Sequence, residues 1–505
     1  MWKNPIRQKK IQLDMVSTAL AIIFAFGVSF ILKKIFWKGK QLPPGPNGLP
    51  VIGYLHKICS APLHVIMNDL SRTYGNTFCV QLGSRLTLVL NSRAAIYEAF
   101  VKKAKSFAGR PDLATFNKTR HGCIGISMCD FSEAYRLNRK MTVKALHRLF
   151  SDKEKLNFIM EQEVHKMVNL FDKFAHFKKP FNPGEAFYKI VPSLIVNLTF
   201  GRNFDYDDQD LIALVNFNRR WFESAEANNP ADFFKILEMF PNKRLTAIKE
   251  SAAAFYSYIL NKIDEHNANN WGLLQTYLEY YRDMLGVTEL SNSEKLELAR
   301  VIADILGGGF DTVAITLSWA LLFLDDQPEV TIKCRNEIQR VSPDEILRIE
   351  HQSDCPYFCA TINEILRNAS TAPMGLPRTT TEDVQTSEYF IPKGTMVLSN
   401  IWAVNKDSTL WKEPDIINPD NFLDADGAID KNAVRKLATF SSGLRKCPGD
   451  KLAFSEMFVL LGTFIKSFEF TIDQHPPDMQ PLPGLTSQPK SYTIQISKIA
   501  TNNNI

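Results

Sequence analysis

The sequence predicts a mainly α-helical globule held to a membrane by one N-terminal helix. Three observations carry this: an uncharged run of 18 residues near the start, a proline-free helical pattern of roughly 34 residues around position 310, and an amphipathic helix behind a cysteine loop at position 447. The 505 residues, 45% of them hydrophobic, are enough for one large domain with a deep core. No low-complexity tract or solenoid-period repeat points to disorder or to a repeat architecture.

Residues 1–14 form a basic flank, and 15–34 read as a transmembrane signal anchor: Met15 to Leu32 carry no charge, and Lys33, Lys34 and a bulky Ile-Phe-Trp follow where a cleavage site would need small residues. Equal numbers of Lys and Arg on the two sides leave its orientation open. Residues 35–53 are a basic, then proline-rich hinge, whose Gln41–Gly53 stretch holds four prolines and three glycines and excludes helix. Residues 54–505 are left as one globular domain. The first 40 residues carry +7 of the formal +5, so the remainder is at −2, which argues against a nucleic-acid partner and for a membrane one. Eight cysteines without a C-x-x-C pair suit a reducing compartment.

Ser291 and Glu294 make a capping box, and the helix they start meets no proline until Pro328. Its second half is apolar nearly all round, which places it in the interior. Gly307, Gly308 and Gly309 interrupt it at about 1 kcal/mol each, and Asp311 and Thr312 follow in apolar company. Close helix packing, with a threonine bonded to its own backbone, would explain this. So would a flat ligand lying against the missing side chains, with Asp311 and Thr312 as a proton route. Cys447 lies just before a helix N-terminus, beside Arg445 and Lys446, surroundings that lower a thiol pKa and favour the metal-binding thiolate.

Phe440-x-x-Gly443-x-Arg445-x-Cys447-x-Gly449 resembles the haem-binding loop of the cytochrome P450 family. In the same order as in that family, Gln41–Gly53 resembles its hinge, Gly308-Gly309-Phe310-Asp311-Thr312 its oxygen-binding helix, and Glu364-x-x-Arg367 its buried ion-pair motif. Ala372–Val384, Ser387–Val404 and Phe107–Asp112 resemble the animal microsomal group that includes steroid 17-hydroxylases and polycyclic-aromatic hydroxylases. Two motifs depart from the pattern. Tyr135 stands where the family's propionate-holding Trp-x-x-x-Arg has tryptophan, with Arg139 kept. Asn421 replaces arginine in the segment that completes the Glu364–Arg367 network.

The resemblance implies a fold that is mainly α with small β-sheets, haem b with Cys447 as axial iron ligand, and Arg445, Arg139 and Arg378 as partners of its propionates. It also implies Thr312 and Asp311 in proton delivery, and insertion of one oxygen atom of O2 into a lipophilic molecule, steroid-like, aromatic or another xenobiotic. NADPH would supply electrons indirectly, through NADPH–cytochrome P450 reductase, with cytochrome b5 as a second donor. Arg435, Lys436, Lys446 and Lys451 are the basic residues expected to face the reductase. The chain would sit in the endoplasmic reticulum membrane as a single-pass protein with its body in the cytosol, leaving Asn117, Asn197 and Asn368 unglycosylated. Substrate contacts are expected in Phe107–Phe116, Met374–Leu376 and Gly484–Ser487. A peroxide-rearranging isomerase or dehydratase, and a non-catalytic haem sensor, are the alternatives. The first usually lacks the threonine, and the departures at Tyr135 and Asn421 lend the second slight support.

Overall fold

The computed structural model describes residues 41–58, 60–117, 125–225, 229–266, 271–343, 346–474 and 476–499. The expected membrane anchor at 15–34 lies outside them. The described chain is mainly helical with small sheets, as expected.

The central helix is Asn292–Asp325, and both bonds of its capping box form: Ser291 N–H donates to Glu294 at 2.7 Å, and Glu294 N–H to Ser291 Oγ at 3.4 Å. Val313 to Leu322 are buried without a break. Helices Pro183–Phe200, Lys243–Asp264, Pro356–Ala369 and Asp450–Ser467 pack around it. Among the described residues this helix alone is long and apolar enough to cross a bilayer, and its burial marks it as the core helix.

Strands Thr77–Leu82 and Arg85–Leu90 form a hairpin, with Leu82 opposite Arg85 across a two-residue turn. The second strand pairs in parallel with Met396–Ser399, which takes Arg378–Thr379 on its other edge. This sheet carries Arg378 into the site. The proline-rich hinge is extended but lies on the body: Cys79 N–H donates to the Pro44 carbonyl at 2.8 Å, and a Cβ on Gly45 would stand 1.8 Å from the Cys79 oxygen. The packed body thus begins within this segment.

Candidate active site

The cysteine loop is shaped by its backbone. Cys447 N–H donates to the Phe440 carbonyl at 2.9 Å and Lys446 N–H to that of Gly443 at 3.1 Å. Gly443 has φ +70°, and a Cβ there would meet the Phe100 carbonyl oxygen at 1.7 Å, so only glycine fits. Helix Asp450–Ser467 starts directly behind, and Gly449 N–H donates to the Cys447 sulfur. The expected lowering of this thiol's pKa is not the net result. Burial pushes it up, and the Gly449 bond, Arg139 and Lys446 oppose this without cancelling it. Cys447 is packed in protein, and the surface it exposes faces an internal cavity of about 430 Å³.

Seven of the expected residues line that cavity: Cys447, Phe440, Arg445, Arg139, Arg378, Tyr135 and Thr312. Arg445 donates to the carbonyls of Ala108, Ile126 and Cys129 at 2.9, 3.2 and 2.7 Å, tying those three residues to the loop, and stacks 3.7 Å from the Tyr135 ring. Arg139 donates to the Lys446 carbonyl at 2.6 Å. Arg378 donates from Nη2 to Ser441 and Ser442 and stacks 3.4 Å from Phe100, while its Nη1 is buried without a partner. Burial first, then the Arg445 and Arg139 cations, lower its pKa to about 9. The Tyr135 hydroxyl is not turned to the cavity as a spare donor. It donates to the Leu444 carbonyl at 2.7 Å and braces the loop.

The central helix forms the opposite wall, and its glycines divide between packing and open space. A Cβ on Gly309 would press Ile195 at 3.2 Å, whereas one on Gly308 would meet nothing within 4 Å, because that glycine fronts the cavity. Thr312 Oγ1 donates back to the Gly308 carbonyl at 2.7 Å. Asp311 is turned away and does not line the cavity. It is buried, accepting from Tyr188 at 2.6 Å and Thr486 at 3.2 Å, and burial pushes its carboxyl up against both bonds.

Glu364 and Arg367 are fully buried and paired bidentately at 2.7 and 2.7 Å. Arg367 also reaches the carbonyls of Asn405, Pro414 and Ile416. Asn421 Nδ2 donates to Glu364 at 3.2 Å and to the Lys412 carbonyl, while its Oδ1 accepts from Lys412 N–H. The network is therefore closed by an amide in place of a second cation.

The cytochrome P450 family model matches residues 43–496. The chain belongs to the cytochrome P450 family. Its similar relatives include cytochrome P450 1A5 of Gallus gallus, 32% identical over 90% of this chain and 89% of that protein. Cytochrome P450 1A1 of Oryctolagus cuniculus is 31% identical over 94% of each chain, and that of Homo sapiens 31% over 91% of this chain and 94% of its own. The chain is thus an animal microsomal-type P450, a monooxygenase whose cofactor is haem b.

The residues of this P450 fit that group on chemical grounds. Three guanidiniums share one cavity with the cysteine, and the unpartnered Nη1 of Arg378 calls for a buried anion such as a propionate. The space in front of Gly308 lets a flat ring approach the helix. Of the expected substrate stretches, Arg110, Gly375, Leu376, Leu485 and Thr486 line the cavity. The roof was not foreseen: Phe217, Asn218, Trp221 and Phe222 come from helix Gln209–Ser224, and Ser251, Ala252, Phe255 and Tyr256 from helix Lys243–Asp264. No sequence signal separates such positions from ordinary core positions of an amphipathic helix. Glu456, buried in the cavity wall with both oxygens unpartnered, was also missed, although a glutamate amid apolar neighbours was a visible signal.

Proposed function

We propose that this P450 oxidises a C–H bond of a lipophilic small molecule, with electrons from NADPH delivered by the microsomal flavoprotein reductase. The observation that carries the reading is the convergence of Cys447, three arginines and Thr312 on one cavity with apolar walls. Cys447 would hold the haem iron through its sulfur, and Arg139, Arg378 and Arg445 its propionates. Bound haem supplies the redox-active iron at which O2 is reduced.

Thr312 holds a proton at Oγ1, kept in place by its bond to the Gly308 carbonyl, and can pass it into the cavity while accepting another. Asp311 joins Tyr188 and Thr486 in a separate hydrogen-bonded group on the adjoining face of the helix. The aromatic side chains of the roof, Phe217, Trp221, Phe222 and Phe255, exclude water from the reacting carbon. Lys446 and Lys451 are exposed beside the cysteine loop and Arg435 is exposed nearby, a basic face suited to an acidic reductase, with cytochrome b5 as a second donor. Residues 15–34 would anchor the 54–505 catalytic domain to the cytosolic side of the endoplasmic reticulum. Asn197 and Asn368 are buried, which suits their staying unglycosylated.

The test is the carbon-monoxide difference spectrum of the reduced protein. Thiolate ligation gives a far-red-shifted Soret band that Cys447→Ala abolishes, and survival of the band in that variant would refute the ligand assignment. NADPH and O2 consumption with added reductase separates a monooxygenase from a haem isomerase or sensor.

A further inference from the structure

Arg300 lies on the central helix 12 residues before Thr312, a rise of about 18 Å along the axis. It is 7% exposed, lines the cavity, and its Nε is buried without a hydrogen-bond partner. No carboxylate forms an ion pair with it among the described residues. An arginine stays charged in a protein, so an uncompensated one in a largely apolar wall is destabilising until an acceptor arrives.

The nearest acid along the helix, Asp304, does not supply that acceptor. Its carboxylate already takes Ile126 N–H at 2.6 Å, Ser127 N–H at 2.9 Å and Ser127 Oγ at 2.5 Å, and burial drives it towards the neutral form. Two more polar groups of the cavity lining lack partners among the described residues. Ser251 Oγ is buried and unbonded, and the Asn218 amide makes no hydrogen bond, its Oδ1 lying 3.1 Å from where a Cβ on Gly307 would stand. Asn218 thus borders the stretch between Arg300 and Thr312, while Trp221, Phe255 and Leu485 keep other parts of the wall apolar.

We propose that the cavity takes a lipophilic anion, whose carboxylate or sulfate is held by Arg300, and whose apolar body extends to the oxidised carbon near Thr312. This names the substrate class of the monooxygenase reading and rests on it. The planar fork of arginine matches either anion bidentately. The helix rise sets the distance from anion to oxidised carbon on the order of 15 Å, the span of a medium- to long-chain fatty acid or a steroid conjugate.

Equilibrium dialysis of labelled ligands on the full-length haem-loaded protein tests this without reductase or turnover. A failed NADPH and O2 assay would therefore sink the monooxygenase reading while leaving this measurement to be judged alone. Two pairs are compared: a C12 fatty acid with its methyl ester, and a steroid sulfate with its parent alcohol. The wild type is expected to prefer the anion in at least one pair by about 10- to 100-fold, the worth of a charge-assisted bond, and the pair that shows it identifies the source. Arg300→Gln is expected to bring that ratio to about 1. Parity in both pairs for the wild type, or an anion preference that survives Arg300→Gln, would overturn the proposal. Should the variant fail to fold, the wild-type comparison decides alone.

Discussion

Two buried carboxylates show how differently one side chain can be kept inside this protein. Glu364 has every oxygen engaged by Arg367, Asn421, Asn368 and the Asn418 N–H, so its charge is compensated. Removing Arg367 would strand that charge, a loss of about 3–5 kcal/mol. Glu456 has no partner at either oxygen, and burial alone raises its pKa well above the usual carboxylate range. The folded protein therefore keeps this proton while the unfolded chain releases it above pH ~4.3. Its contribution is fully present below that pH and is lost as pH rises towards the folded pKa, by about 1.4 kcal/mol per unit. Glu456→Gln should flatten this fall. Denaturant unfolding at pH 5 and pH 8 measures it, and equal slopes in the two proteins would refute a neutral Glu456.

At the scale of elements, the glycine run separates packing from cavity. In the haem-free protein Gly308→Ala meets nothing and should stabilise the helix by about 0.5–1 kcal/mol, whereas Gly309→Ala must push Ile195 and should gain less or lose. Thermal unfolding of the two variants gives the comparison, and a destabilised Gly308→Ala would mean that the space is not open. The ends of this helix were legible because a capping box and a proline act locally. What local pattern could not supply was direction: Asp311 and Thr312 are adjacent, a turn of about 100° apart on a helix, and only tertiary packing decides that Thr312 faces the cavity while Asp311 faces Tyr188. The Tyr135 hydroxyl and the Cys447 thiol escaped similarly. The first found a carbonyl 309 residues away, and the second is governed by burial, which a neighbouring sequence cannot report. The roof helices were invisible as a site because an apolar residue facing a cavity and one facing a core obey the same periodicity.

For the whole molecule, the remaining question is how the body meets the membrane. Leu49, Val51 and Ile52 are exposed on the proline-rich segment, and Ile236, Met239 and Phe240 are exposed by 64%, 79% and 62% beyond helix Pro230–Phe233. Both groups flank the same hairpin turn: Gly83 N–H donates to the Ile52 carbonyl at 3.1 Å and Ser84 N–H to that of Phe233 at 3.2 Å. They form an apolar surface beside the segment through which the anchor at 15–34 would join the body, and contiguous apolar surface of this kind marks a contact site. The expectation is that residues 41–505 alone still sediment with neutral phosphatidylcholine vesicles. Replacing Ile236, Met239 and Phe240 by serine should weaken that binding at least about 100-fold, since each of the three side chains loses about 1 kcal/mol or more of apolar burial. High salt should leave the wild-type binding intact, because the contact is apolar rather than ionic. An unchanged carbon-monoxide spectrum in the triple variant would show that the fold survives, and undiminished sedimentation would show that this face does not lie on the membrane.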